Sequence, residues 1–127
     1  MTVKVIGAGL AGCEAAHILS KKGIKVELHE MKPQSYSPAH KLPTFAELVC
    51  SNSLKAERFG SAAGLLKWEM EYLGSLTVPL AKKNAVPAGG ALAVDRVLFS
   101  KQVTEAIKSD PNITVVTGEV ENIDPDE

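Results

Sequence analysis

Cysteine is scarce in this 127-residue sequence, which holds two, Cys13 and Cys50. So few make no disulfide framework for a chain of this size and point to a reducing, cytoplasmic setting. Net charge is nearly absent too, with 14 basic residues against 15 acidic ones. The chain as a whole therefore carries no electrostatic footprint for nucleic acid or an anionic membrane. No apolar run approaches the roughly 20 residues of a membrane span, and no basic stretch precedes an apolar one as in a secretory leader. Internal repeats and low-complexity segments are missing, and neither the two cysteines nor the histidines His17, His29 and His40 have metal-ligand spacing.

What is present is the composition of a folded domain, 45% hydrophobic and 23% charged, long enough to bury roughly two-thirds of its unfolded surface. Val3, Val5 and Ile6 make a short buried-type strand ending at Gly7. From Leu10 to Lys22 the text is helical, with Ala11, Ala15, Ala16, Ile18 and Leu19 giving helix propensity and an apolar side. Gly23 suits the end of that helix, and Ile24, Val26 and Leu28 alternate up to Glu30 as a second strand. Strand, helix and strand in so short a stretch predict a βαβ unit with parallel strands.

Residues 32–44, with Pro33, Pro38 and Pro43, read as a long irregular loop, and such loops are more often functional than idle. Phe45 to Val49 reads as one helical turn leading into Cys50-Ser51-Asn52-Ser53. Ser61 is placed to cap a helix over Ala62 to Leu73, closed by Gly74. On its wheel Leu66, Met70 and Leu73 share one face and Leu65, Trp68 and Tyr72 another, leaving Lys67 and Glu71 as the polar strip. Residues 84–94, with Pro87, Gly89 and Gly90, read as a tight backbone passage. Asp95 is a natural N-cap for a helix over Arg96 to Lys108 whose buried side carries Phe99, Val103, Ala106 and Ile107. Ile113, Val115 and Val116 form a third strand, Gly118 turns the chain, and Val120 to Ile123 begins a further element.

Gly7-Ala8-Gly9-Leu10-Ala11-Gly12 carries the first chemistry. Gly7 permits the tight turn out of the strand, Gly9 lets the backbone approach a pyrophosphate, and Gly12 lets the helix pack closely on the strands. Three glycines alone are a weak signal. Here they follow a strand, open a helix and precede Glu30 at the end of the second strand, placed to accept hydrogen bonds from ribose hydroxyls. That acidic residue disfavours NADP, whose 2′-phosphate it repels, and a motif so near the first residue is the usual arrangement of FAD proteins with two dinucleotide folds.

Longer strings are more specific. Residues 7–16, Gly-Ala-Gly-Leu-Ala-Gly-Cys-Glu-Ala-Ala, resemble the GidA-type flavoproteins that modify tRNA. Pro38-Ala39-His40, Phe45 to Ser53, Gly64 to Lys67, Leu73 to Leu76 and Val86 to Arg96 are similar to their folate-dependent branch. The resemblance implies an α/β, Rossmann-like FAD-binding fold with a parallel sheet, incomplete at its C-terminal end. Residues 1–127 would be the N-terminal part of that FAD/NAD(P)-binding domain, with an irregular flavin-side insertion at about 31–94. It further implies a methyltransferase acting on C5 of the T-loop uridine of tRNA, with 5,10-methylenetetrahydrofolate as one-carbon donor, FAD as flavin and NAD(P)H as reductant. C5 of uracil is a poor nucleophile until a thiolate adds at C6, and the cysteine the family uses for that lies beyond residue 127.

Carried over residue by residue, Gly7, Ala8, Gly9, Leu10, Ala11, Gly12 and Glu30 match the family's FAD contacts. Cys50 matches a flavin-side cysteine, Ser51 and Asn52 would present donors to the flavin, and Gly89 and Gly90 would let backbone approach flavin or folate. A second histidine expected after His40 is replaced by Lys41, and Cys13 reads as a small buried residue. The tRNA surface is expected outside this chain, the isolated piece is expected to be inactive, and no membrane or metal is implied. Two alternatives stay open: a paralogue acting on ribosomal RNA uridine, and an FAD oxidoreductase for a small molecule, which needs the glycine motif alone.

Overall fold

In the computed structural model, which describes residues 1–126, the apolar run before the glycines forms β1 (Thr2–Ile6). It leads through the glycine turn into α1 (Leu10–Lys21), which lays the small residues Cys13, Ala16 and Ser20 against the sheet. The helix closes at Gly23, whose φ of +77° is one that L side chains rarely adopt. Next comes β2 (Lys25–Glu30), parallel to β1 with Val5 opposite Leu28. The βαβ unit expected from the sequence is therefore present.

The following stretch departs from expectation at Phe45 to Val49, which forms no helical turn. Ala46 sits at φ +51°, and its N–H donates to Ala8 O at 2.9 Å while the Phe45 N–H donates to Thr104 Oγ1 at 2.8 Å. Amides spent on distant partners cannot close local helical bonds. Phe45, Ala46 and Leu48 are buried by this arrangement.

A second, antiparallel sheet was not foreseen. It consists of β3 (Ser53–Ala56), then, beyond two helices, β4 (Ala85–Val86) and β5 (Ala91–Val94), in the order β3-β5-β4. The passage at 84–94 is thus a hairpin, with Gly89 at φ +63° in its turn. The two helices between are α2 (Ala62–Tyr72), capped by Ser61 Oγ accepting from Gly64 N, and α3 (Thr77–Lys83). Pro79 disguises α3 in the sequence, but it lies in the first turn, where no intrahelical acceptor awaits its amide.

The chain then forms α4 (Arg96–Lys108), N-capped by Asp95, and β6 (Ile113–Thr117), parallel to β2. The order β1-β2-β6 makes β2 the central strand of the parallel sheet. Val26 and Leu28 of β2 share one core with Phe99, Val103 and Ile107 of α4, Leu92 and Val94 of β5, and Ile113 of β6. Ala106 lies only half-buried at the margin of that side, and Val120 to Ile123 is irregular.

Helix α2 is turned opposite to its composition. Lys67 of its polar strip faces inward: it is 8% exposed and its Nζ donates to Ala56 O at 3.0 Å and Ala63 O at 3.3 Å, while Glu71 stays half-buried and pairs with Lys82. Leu65, Leu66, Trp68, Tyr72 and Leu73 are exposed instead, with Trp68 stacked on Tyr72 and edge-on to Phe59. The close approach of Gly64 to Arg58 O selects this face, because a Cβ at residue 64 would fall 1.8 Å from that carbonyl. Burial lowers the Lys67 ammonium below its ordinary range, with Glu57 opposing.

Candidate nucleotide-binding site

The turn from β1 to α1 is built by glycine at the positions where any side chain fails. Gly7 has φ +93°, and a Cβ on Gly12 would lie 1.8 Å from Gly7 O. Gly9 is the N-cap in extended conformation and supplies no side-chain cap; the first helical bond runs from Cys13 N to Gly9 O at 3.0 Å. The N–H groups of Leu10, Ala11 and Gly12 therefore have no acceptor among the described residues. Helix ends in this state attract anions through free donors and the helix dipole.

Glu30 locks the turn in place. It is 7% exposed, and its Oε2 accepts from Ala8 N at 2.8 Å while Oε1 accepts from Lys32 N at 2.9 Å. Each carboxylate oxygen keeps a further lone pair for a ligand hydroxyl.

The Pro-rich loop closes the third side. Lys32 Nζ, buried, donates to Leu42 O at 3.0 Å, Thr44 O at 2.8 Å and Glu47 Oε2 at 3.1 Å. Glu47 also accepts from the N–H groups of Lys41 and Leu42. Burial raises the Glu47 carboxyl, but those bonds and the Lys32 ammonium outweigh it and hold the group below its ordinary range. Glycine turn, strand end and loop enclose a cavity of about 330 Å³ lined by Gly7, Ala8, Gly9, Glu30, His40, Glu47 and the chain after β6 at Gly118 to Val120, among others.

The sequence-selected residues fall into separate groups. Gly7, Ala8, Gly9 and Glu30 line this cavity, and Gly12 packs beneath it. Leu10 and Ala11 line an apolar groove with Glu14, Leu54 and Met70. Cys50, Ser51 and Asn52 line a different cavity of about 500 Å³, together with Val86, Val94, Asp95 and Arg96. Ser51 Oγ accepts from Ser53 N at 2.9 Å, a local turn into β3, while Asn52 Nδ2 donates to Val94 O at 3.1 Å and holds this loop to β5. Gly89 and Gly90 sit exposed in the hairpin turn with open space around them. Lys32, Ala46 and Glu47 were not singled out from the sequence; the position of Lys32 two residues after Glu30 was the one available signal.

The two thiols differ sharply. Cys13 is buried, its Sγ donates to Ala8 O at 3.4 Å, and burial with the charges of Glu30 and Glu14 pushes its pKa up to about 12. Cys50 is exposed. A disulfide reagent under native conditions at neutral pH is expected to titrate Cys50 promptly and Cys13 only after denaturation. Fast modification of both would contradict this packing.

A family model described as "Glucose inhibited division protein A", GIDA, matches residues 2–127. The chain belongs to the GidA family. Within the GidA family, a protein of Acetivibrio thermocellus is 58% identical over 121 residues, covering 95% of this chain and 28% of the relative. One of Geotalea daltonii is 59% identical with the same coverage. A third, of Thermotoga petrophila, is 55% identical over 127 residues, covering 100% of this chain and 29% of the relative. All three bear the name methylenetetrahydrofolate–tRNA-(uracil-5-)-methyltransferase TrmFO. The chain thus spans about 28% of the length of the curated GidA-family relatives it matches.

Proposed function

We propose that this chain is the N-terminal, FAD-binding portion of an enzyme that methylates C5 of a tRNA uridine, with 5,10-methylenetetrahydrofolate as one-carbon donor and NAD(P)H as reductant. The observation that carries this reading is the 58% identity, over 95% of the chain, to a protein named for that reaction. Residues 1–127 form, on this reading, the first part of the FAD/NAD(P)-binding domain, and about 31–94 its flavin-side insertion.

The residues present suit a dinucleotide. The cradle at Gly7, Ala8, Gly9, Leu10, Ala11 and Gly12 would hold the pyrophosphate on free N–H groups, and a Cβ at residue 12 would destroy it. The Glu30 carboxylate would take ribose hydroxyls, and Cys50, Ser51 and Asn52 would stand on the flavin side. When bound, FAD supplies the reducing equivalents for the transferred one-carbon unit. The protein's own part here is to bind the anion, orient the ribose and hold the loop wall through Lys32 and Glu47. The tRNA surface lies outside these residues, whose charges nearly cancel. A cytoplasmic setting belongs to this reading; among the described residues no helix is long and apolar enough to cross a membrane.

The full-length protein decides the matter. It is expected to purify with a flavin spectrum and to methylate tRNA lacking ribothymidine when given methylenetetrahydrofolate and NADPH. Intact flavin without folate-dependent methylation would sink the reading, and turnover of ribosomal RNA in place of tRNA would redirect it to the paralogous reaction. A flavoprotein oxidising a small molecule accounts for the glycines but leaves the identity over the rest of the chain unexplained.

Glu30→Gln tests the ribose contact. The amide keeps one carbonyl acceptor but sets an NH2 against Ala8 N–H or Lys32 N–H, so FAD affinity in equilibrium titration is expected to fall about 10-fold or more. Unchanged affinity would remove Glu30 from the site.

A further inference from the structure

Most polar side chains lining the 330 Å³ cavity are already committed to the protein. Lys32 spends its three ammonium protons on Leu42 O, Thr44 O and Glu47 Oε2, so the lysine in the wall has none left for a ligand. Glu47 is filled by that ammonium and two backbone N–H groups. His29 holds Glu27 at 3.4 Å through Nε2.

His40 differs. Its Nδ1 is 2.5 Å from Ser37 Oγ and its backbone N–H donates to Ser37 O at 3.2 Å. The first contact fixes the ring and the second its backbone, and Nε2 has no protein partner among the described residues. Half-buried in the wall, His40 stands on the loop that follows Glu30 directly. That loop is pinned to the glycine turn by Ala46 N to Ala8 O at 2.9 Å and internally by the Lys32–Glu47 pair. The ring is therefore held ready before any ligand arrives, which reduces the ordering cost of binding.

We propose that His40 is a specificity-determining contact of this site, bonding through Nε2 to a ribose hydroxyl of the bound dinucleotide. The inference rests on the dinucleotide reading above and deepens it. A hydroxyl is the group that fits, because it both donates and accepts. It pairs with Nε2 in either ring tautomer, whichever one the Ser37 hydroxyl selects. A phosphate, which needs a donor throughout, is served by the free N–H groups at α1 instead.

The test uses the full-length protein stripped of flavin, titrated with ADP and with 2′,3′-dideoxy-ADP, in wild type, His40→Ala, His40→Gln and Ser37→Ala. His40→Ala is expected to weaken ADP about 5- to 10-fold and dideoxy-ADP less than about 2-fold, since the lost bond needs the hydroxyl. His40→Gln should recover part of the ADP affinity, and Ser37→Ala, which frees the ring, should fall between. Equal weakening of both ligands would show a merely structural role and overturn the proposal. So would a His40→Ala protein that binds ADP as wild type does. Should His40→Ala fail to fold, the Gln and Ser37 variants decide by the same difference between ligands. If wild type itself binds neither ADP nor FAD, the dinucleotide reading fails and takes this inference with it; if wild type binds both and the variants show no difference, the inference alone falls.

Discussion

Replacing Gly12 with alanine is expected to reduce FAD affinity by about 100-fold or more and to lower the melting temperature of the apoprotein. The added Cβ would stand 1.8 Å from Gly7 O and 3.0 Å from Gly7 C. Both are backbone atoms of a turn held on its other side by Gly7 N to His29 O at 2.8 Å, so the strand cannot yield. The helix must withdraw instead, and it carries the N–H groups of Leu10 and Ala11 away from the position where a pyrophosphate would meet them. Gly64→Ala supplies the control. Its Cβ would lie 1.8 Å from Arg58 O and 2.4 Å from Arg58 C, a clash of equal severity in α2. It should destabilise comparably yet leave nucleotide affinity within about 3-fold, because α2 lines no part of that cavity. A Gly12→Ala protein with wild-type affinity would refute the cradle; equal affinity losses in both variants would reduce the effect to general unfolding.

The contrast between those two glycines shows what was legible in the sequence. Gly12 announces itself through its spacing from Gly7 and Gly9, because the βαβ unit is local and each residue's role is set by neighbours a few positions away. The caps at Ser61 and Asp95 were legible for the same reason. The packing role of Gly64 carried no signal, since its partner Arg58 O depends on how the chain folds back before α2. Likewise β3 has only four residues, one of them Lys55 at φ +68°, and its pairing with β5 is irregular between Ser53 and Ala56. Neither propensity nor period-two alternation marks so short a strand. Helix α2 misled more deeply: composition puts Lys67 outside, whereas packing of Gly64 puts it inside and finds its ammonium two carbonyls. In the site, the glycines and Glu30 could be read directly. The Lys32–Glu47 pair could not, because it exists only once the loop has turned back on itself.

Glu14 is the residue of this kind with the largest expected effect, and Glu14→Ala should destabilise the protein by about 3–5 kcal/mol. Its Oε1 accepts from Thr77 N at 2.7 Å and from the hydroxyls of Ser75 and Thr77, and its Oε2 accepts from Leu76 N at 3.0 Å. One carboxylate on α1 thus completes the start of α3, sixty-three residues away, where the N-cap residue Leu76 offers no side-chain acceptor and Ser75 Oγ accepts from Val78 N. Without it the N–H groups of Leu76 and Thr77 lose their acceptor while Thr77, Val78 and Ala81 remain to be buried. Burial raises the Glu14 carboxyl, but the bonds from Ser75, Thr77 and Leu76 outweigh it and hold the group below its ordinary range. A carboxyl lowered in the folded state contributes stability that is complete above the unfolded value and is lost as pH falls through the folded one. The denaturation-midpoint gap between wild type and Glu14→Gln should therefore be widest at neutral pH and shrink as pH falls below the ordinary carboxylate range. Asp110 and Glu47 are also lowered and will weaken both proteins alike in acid, which is why the gap is the quantity to measure. A gap that stays constant with pH would mean that Glu14 joins α1 to α3 by shape alone, without its charge.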